Sequence, residues 1–79
     1  MKAKTAEGLA LKLLRVRAEL SIPDAAGASR VSVRMIHYYE TGDRVPTAEK
    51  RAALLTAYGS NEQVLDAVVL WVEERRGAA

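Results

Sequence analysis

The residues of this chain best equipped for chemistry sit close together, in the stretch VSVRMIHYYETGDRVP from Val31 to Pro46. It brings Ser32, Arg34, His37, Tyr38, Tyr39 and Arg44 within one short span. Such a set could serve acid–base catalysis, hold a metal, or recognise a polar, anionic surface. His37 is the only histidine and there is no cysteine, so neither a multi-histidine nor a thiolate metal site can form from this sequence. No paired acid and base, nucleophile constellation or phosphate-cradling glycine loop is visible. The reading is therefore a non-enzyme with no cofactor and no metal. A lone histidine on a helix is more often polar surface than a general base. Recognition remains: arginine offers a planar fork of donors, tyrosine a ring with a polar tip, and serine a hydroxyl.

The elements that must position these residues are read from length and pattern. The chain has 79 residues and a net charge of +2. That length makes one domain, 1–79, near the lower limit for a self-sufficient core. Four aromatics and many alanines suit closely packed short helices better than a β-sandwich. Residues 1 to 46 carry eight Lys/Arg against five Asp/Glu, and residues 47 to 79 four against five. A basic N-terminal half permits contact with phosphates, although a normally solvated surface explains it equally well. No leader segment is visible, and the longest apolar run, Ala67 to Val72, is far short of a membrane span, so the expected location is cytoplasmic and off the membrane.

Five helices and no strand are predicted, an all-α fold. Residues 1 to 7 are polar and expected to fray. The first helix, about 7 to 18, shows Leu9, Leu13, Val16 and Leu20 at helical spacing, with Leu11 and Leu14 widening the stripe. Ser21, Pro23 and Asp24 then form a start signal for a short second helix, about 22 to 28, which Gly27 weakens. SRVS reads as a tight turn, and Ser32 caps a third helix over about 33 to 41. In it Ile36 and Tyr39 face inward with Val31, and Val33, Arg34, His37 and Tyr38 fall on the other side. Gly42 stops that helix, GDRVP is a loop, and Thr47 caps a fourth helix over about 48 to 58. Ser60 with Gln63 suggests a capping box for a fifth, over about 61 to 75. The fifth helix is longer and apolar nearly all the way round, where a surface helix should show one stripe.

A helix, a short helix, a turn and a polar-faced helix is the order of a helix-turn-helix, here with its core at 21–41. Residues 9 to 59 resemble the Cro/repressor-type helix-turn-helix family, also called XRE-like. The resemblance rests on Leu11-Lys12-Leu13-Leu14-Arg15, Leu20-Ser21, Val31-Ser32, Ile36, Tyr39-Glu40, Gly42, Arg44 and Pro46, followed by TAEKRAALLTAYG as the family's fourth helix. VSVRMIHYYE is also similar to the recognition helix of MerR-type activators. Those proteins lack a preceding helix and continue into a winged segment, so the repressor-type reading is favoured. Both bind DNA. Three departures stand out: Ile22 where the family has Gln, Arg30 where the turn has Gly, and Ser29 where a core Leu is common. Arg30 must therefore tolerate a positive φ or the turn must shift.

The resemblance implies roles. Arg15 and Glu40 would form a partly buried ion pair joining the first helix to the third. Arg34 would read a base, with guanine its natural partner; a phosphate contact or an idle surface arginine is the plain alternative. Val33 would lie on a thymine methyl, or pack between helices. His37 and Tyr38 would face the groove. Ser32, Arg44, Lys12 and Arg17 would approach phosphates, and each serves equally as a cap or a solvated charge. Apart from the resemblance, the apolar breadth of the fifth helix suggests that Val64, Val68, Trp71 and Val72 form a homodimer contact that matches a palindromic operator; the plain alternative is that this helix closes the core of a small domain.

The function expected is a sequence-specific regulator of double-stranded DNA, a repressor acting by occupancy. The alternative is a protein-interaction module, such as an antitoxin or adaptor, that takes a second protein on its C-terminal helix.

Overall fold

Five helices carry the chain: α1 (Ala6–Arg17), α2 (Ile22–Ser29), α3 (Val33–Thr41), α4 (Ala48–Ala57) and α5 (Glu62–Gly77). This computed structural model describes residues 5–77, and among them there is no strand. The all-α, five-helix expectation holds, with every predicted boundary within two residues of the observed one. Residues 1 to 4 of the expected frayed stretch lie outside the described residues. Thr5 instead caps α1, its hydroxyl oxygen accepting the Gly8 N–H at 2.9 Å.

Short polar side chains start the helices by satisfying amides that the first turn leaves orphaned. At α2 the box is reciprocal: Ser21 Oγ accepts the Asp24 N–H at 3.1 Å, and Asp24 Oδ2 accepts the Ser21 N–H at 3.2 Å. Ser32 and Thr47 accept the amides of Met35 and Lys50 at 3.1 and 3.2 Å. The start of α5 corrects the sequence reading. Asn61, not Ser60, is the cap, its Oδ1 accepting the Val64 N–H at 2.9 Å. The Ser60 N–H is committed to the Leu55 carbonyl at 2.8 Å, which holds Ser60 in the closing turn of α4 and passes the cap to the next residue.

The core gathers Leu11, Leu14, Ile36, Leu54, Leu55 and Leu65, with Tyr39 and Tyr58 at its edge. α1 packs on α3 and α5, and α2 packs on α3 and α4. The buried face of α1 differs from the expected stripe. Gly8, Ala10, Leu11, Leu14 and Arg15 point inward, whereas Leu13 and Val16 are 44 and 54 % exposed. Periodicity alone offers two apolar faces here, and two contacts select between them. A Cβ on Gly8 would run into the Tyr39 carbonyl oxygen, so only glycine lets α1 come this close to the end of α3. Arg15, on the same face, reaches Glu40.

α5 lays much of its apolar breadth against the core. Leu65 and Val72 are buried, and Val64, Val68 and Val69 pack half-buried against the core. Of the four residues expected at a dimer contact, only Trp71 is exposed, at 50 %; Leu70 is exposed beside it. Most of the second apolar face is thus covered by this chain's own helices. Arg51 ties α4 to two other helices, with its Nε 2.9 Å from Glu62 Oε1 and its Nη1 3.6 Å from Glu7 Oε2. No helix among the described residues is long and apolar enough to cross a membrane.

Candidate nucleic-acid interface

α3 turns one face in and one face out. Ile36 and Tyr39 are buried together with Val31, which precedes the helix. Val33, Arg34 and His37 are exposed, and Tyr38 is half-buried beside them. Positions 33, 34, 37 and 38 form one side of a helix by spacing, so these four side chains share a surface.

That surface is organised around Tyr38. The Arg34 Nε–H donates to Tyr38 Oη at 2.9 Å, and its guanidinium carbon lies 5.7 Å from the ring centre. A second guanidinium, that of Arg44, lies 5.6 Å from the same ring. The His37 ring sits tilted, 6.5 Å away. Arg44 is brought there by the backbone. Gly42 turns the chain at φ 85°, and the Tyr38 carbonyl then accepts the N–H of Asp43 at 2.9 Å and of Arg44 at 3.3 Å. Thr41 Oγ1, 3.0 Å from Asp43 Oδ2, fastens the same corner. Arg34 uses one of its five donors on Tyr38 and keeps both terminal nitrogens for another partner. Among the described residues it has no carboxylate partner.

The one acidic side chain of α3, Glu40, is turned away from this surface into the fold. Its carboxylate takes Arg15 Nε at 2.7 Å and Nη2 at 3.0 Å, while Arg15 Nη1 donates to the Leu20 carbonyl at 2.8 Å. Hydrogen bonding to Glu40 holds the Arg15 pKa above its usual value, against the opposing effect of burial. Tyr58 lies near this pair. Burial, with the Glu40 charge adding to it, pushes its phenol up to about 12. Tyr58 Oη has no hydrogen-bond partner among the described residues.

The turn that leads into α3 is built from the departures noted in the sequence. Arg30 adopts φ 65°, ψ 16°, the left-handed conformation that a glycine would enter more easily. Ser29 is buried but satisfied: its hydroxyl donates to the Ala25 carbonyl at 2.7 Å and accepts the Val31 N–H at 3.1 Å. The serine thus closes the turn from inside, where a leucine could only fill space.

A family model of the helix-turn-helix domain matches residues 8–68. The chain belongs to this helix-turn-helix family. In DNA-binding members of this fold the second helix of the motif reads the major groove; the second helix of the motif here is α3. The wing that a MerR-type architecture requires has no counterpart among the described residues, since the chain continues from the loop into α4. No curated protein and no solved structure matches the chain.

Within this helix-turn-helix the expected site residues separate into groups. Val33, Arg34, His37, Tyr38, Ser32 and Arg44 are brought together on or beside the outer face of α3. Arg15 and Glu40 meet as a buried pair. Lys12 and Arg17 do not join the Tyr38 cluster: Lys12 lies along a groove between α1 and α5, and Arg17 is exposed at the last position of α1. The inward rotation of the Leu11–Leu14 face carries Lys12 to the α5 side. Arg30 is the exposed cation that the sequence reading treated only as a turn residue. Its place between the two helices of the motif was the available signal.

Proposed function

We propose that this chain is a sequence-specific regulator that binds double-stranded DNA through α3 and represses by occupying its site, in the compartment that holds the DNA. The observation that carries the reading is the Arg34–Tyr38–Arg44 cluster on the exposed face of the motif's second helix. Arg34, held through Nε, offers its two terminal nitrogens to guanine O6 and N7. Val33, at the entry of the helix, suits a thymine methyl. Arg44, Arg30 and the amides at the Ser32 cap suit the phosphates on either side.

A palindromic operator occupied by two copies belongs to the same reading. The DNA itself would bring the copies together, because Leu70 and Trp71 are the large apolar side chains that α5 leaves exposed. Selection of bound sequences from random duplexes tests this. The expected result is an inverted repeat with a guanine in each half-site and centres about one helical turn apart. Enrichment of no motif would defeat the reading.

A further inference from the structure

The helices α1 and α5 leave between them an open groove of about 350 Å³, walled by Leu9, Leu13, Val16 and Trp71. Three of these, Leu13, Val16 and Trp71, are among the large hydrophobic side chains left exposed in the described residues. Scattered exposed leucines and valines need no explanation, but here they meet in one groove rimmed by polar groups. Leu9, Leu13 and Val16 follow one another along α1 at the spacing of a helix face, over roughly 10 Å. A third helix laid along that line could place its own i, i+3, i+4 and i+7 side chains between them and Trp71.

The charges select the occupant. Every charged residue that lines the groove is a cation: Lys12, Arg75 and Arg76. The guanidinium of Arg75 lies 4.6 Å from the centre of the Trp71 ring, so a positive charge is held directly against the apolar floor. A second copy of this chain docking there by two-fold symmetry would oppose these three cations to their own equivalents, which disfavours self-association through the groove. Nucleic acid would satisfy the cations and leave the apolar floor without a partner. A helix with an apolar face flanked by carboxylates satisfies both. We propose that the α1–α5 groove is the docking site for an acidic amphipathic helix of another protein. The assignment does not depend on how α3 reads DNA.

Trp71 is the single tryptophan of the chain and sits in the groove, so its fluorescence reports occupancy. The full chain is titrated with a designed helical peptide of about 18 residues, with Leu at i, i+3, i+4 and i+7 and Glu on the flanks. A second peptide with the same apolar face and Lys on the flanks is the control. The acidic peptide should shift Trp71 emission to the blue and saturate; the lysine peptide should not. The R75E/R76E variant, with its helicity checked by circular dichroism, should bind the acidic peptide at least about tenfold more weakly, a loss of about 1.4 kcal/mol, and should now accept the lysine peptide. Equal binding of both peptides, binding of neither, or an unchanged affinity in the variant would overturn the proposal. So would the same blue shift on concentrating the chain alone, which identifies a second copy. A blue shift with phosphatidylglycerol vesicles but not with the acidic peptide would overturn it in favour of a membrane surface.

Discussion

Arg15 grips Glu40 through two parallel hydrogen bonds, Nε to Oε2 at 2.7 Å and Nη2 to Oε1 at 3.0 Å, across 25 positions of the chain. Its third nitrogen holds the Leu20 carbonyl. One side chain therefore fastens α1, the connection after it and α3.

Glu40→Gln leaves the Arg15 charge buried without its carboxylate. Breaking a buried pair in this way costs about 3–5 kcal/mol, far more than the pair is worth when intact. Urea unfolding of Glu40→Gln, Arg15→Met and the double variant should show a large coupling energy, with the double variant less destabilised than the two single losses added together. Small, additive losses would mean the pair is not maintained in solution.

The same substitution at two glycines should have opposite signs. Gly8→Ala drives a methyl against backbone atoms of Tyr39 and Glu40, which cannot swing aside, so α1 must move off α3. A loss of about 1–3 kcal/mol is expected, as for other overpacked sites. Gly27→Ala, in the body of α2 with nothing within 4 Å of the added carbon, should gain up to about 1 kcal/mol from helix propensity. Thermal melts of the two variants against the parent chain decide it.

Tyr38→Phe keeps the ring beside the two arginines and removes only the oxygen that receives Arg34 Nε–H. Specific binding should weaken by about 0.5–1.5 kcal/mol, with scrambled DNA bound as before. Arg34→Ala should cost about 1–3 kcal/mol on the selected site and relax one base position per half-site. Arg44→Ala should weaken all sequences alike and reduce the salt slope by roughly one unit if it meets a phosphate. Isotherms on selected and scrambled duplexes at several salt concentrations separate the three.

Tyr58 should give the fold an alkaline weakness. Its phenol titrates at about 12 in the fold against 10.0 unperturbed, so the folded state holds the proton that the unfolded chain gives up first. The stability from this difference is complete below pH 10 and is lost as the pH rises toward 12. Tyr58→Phe should remove that component of the decline. It should also cost little at neutral pH, because the deleted hydroxyl has no partner among the described residues. Unfolding midpoints of both proteins between pH 8 and 12 are the measurement.

The helix count and the outward set on α3 were legible because each depends on chemistry local to a few positions, a cap or a period; the Arg15–Glu40 pairing, 25 positions apart, was legible only through the family resemblance. Ser21 with Asp24 and Ser32 announce their helices in any context. The face of α1 was not legible. Leu9–Leu13–Val16 and Leu11–Leu14 are both respectable stripes, and the choice depends on Gly8 and Arg15 meeting residues of α3 that are distant in the sequence. The Asn61 cap failed for a related reason, since the Ser60 backbone is held in the turn that ends α4 and its hydroxyl meets no partner among the described residues. The breadth of apolar residues on α5 correctly signalled two faces, but which of them is covered depends on α1 lying against it. The Tyr38 cluster needed the geometry of the loop, where two amides converge on one carbonyl and swing Arg44 back over the ring.

The pose of α3 is settled by contacts that no nucleic acid supplies: a backbone approach at Gly8 and a guanidinium clamp at Glu40. The ordering entropy of its backbone is therefore spent when the chain folds, and only exposed side chains such as Arg34 remain to be fixed at the encounter. Formation of a DNA complex would then carry the heat-capacity signature of buried apolar surface and released solvent alone, without the larger change that accompanies a segment folding as it binds.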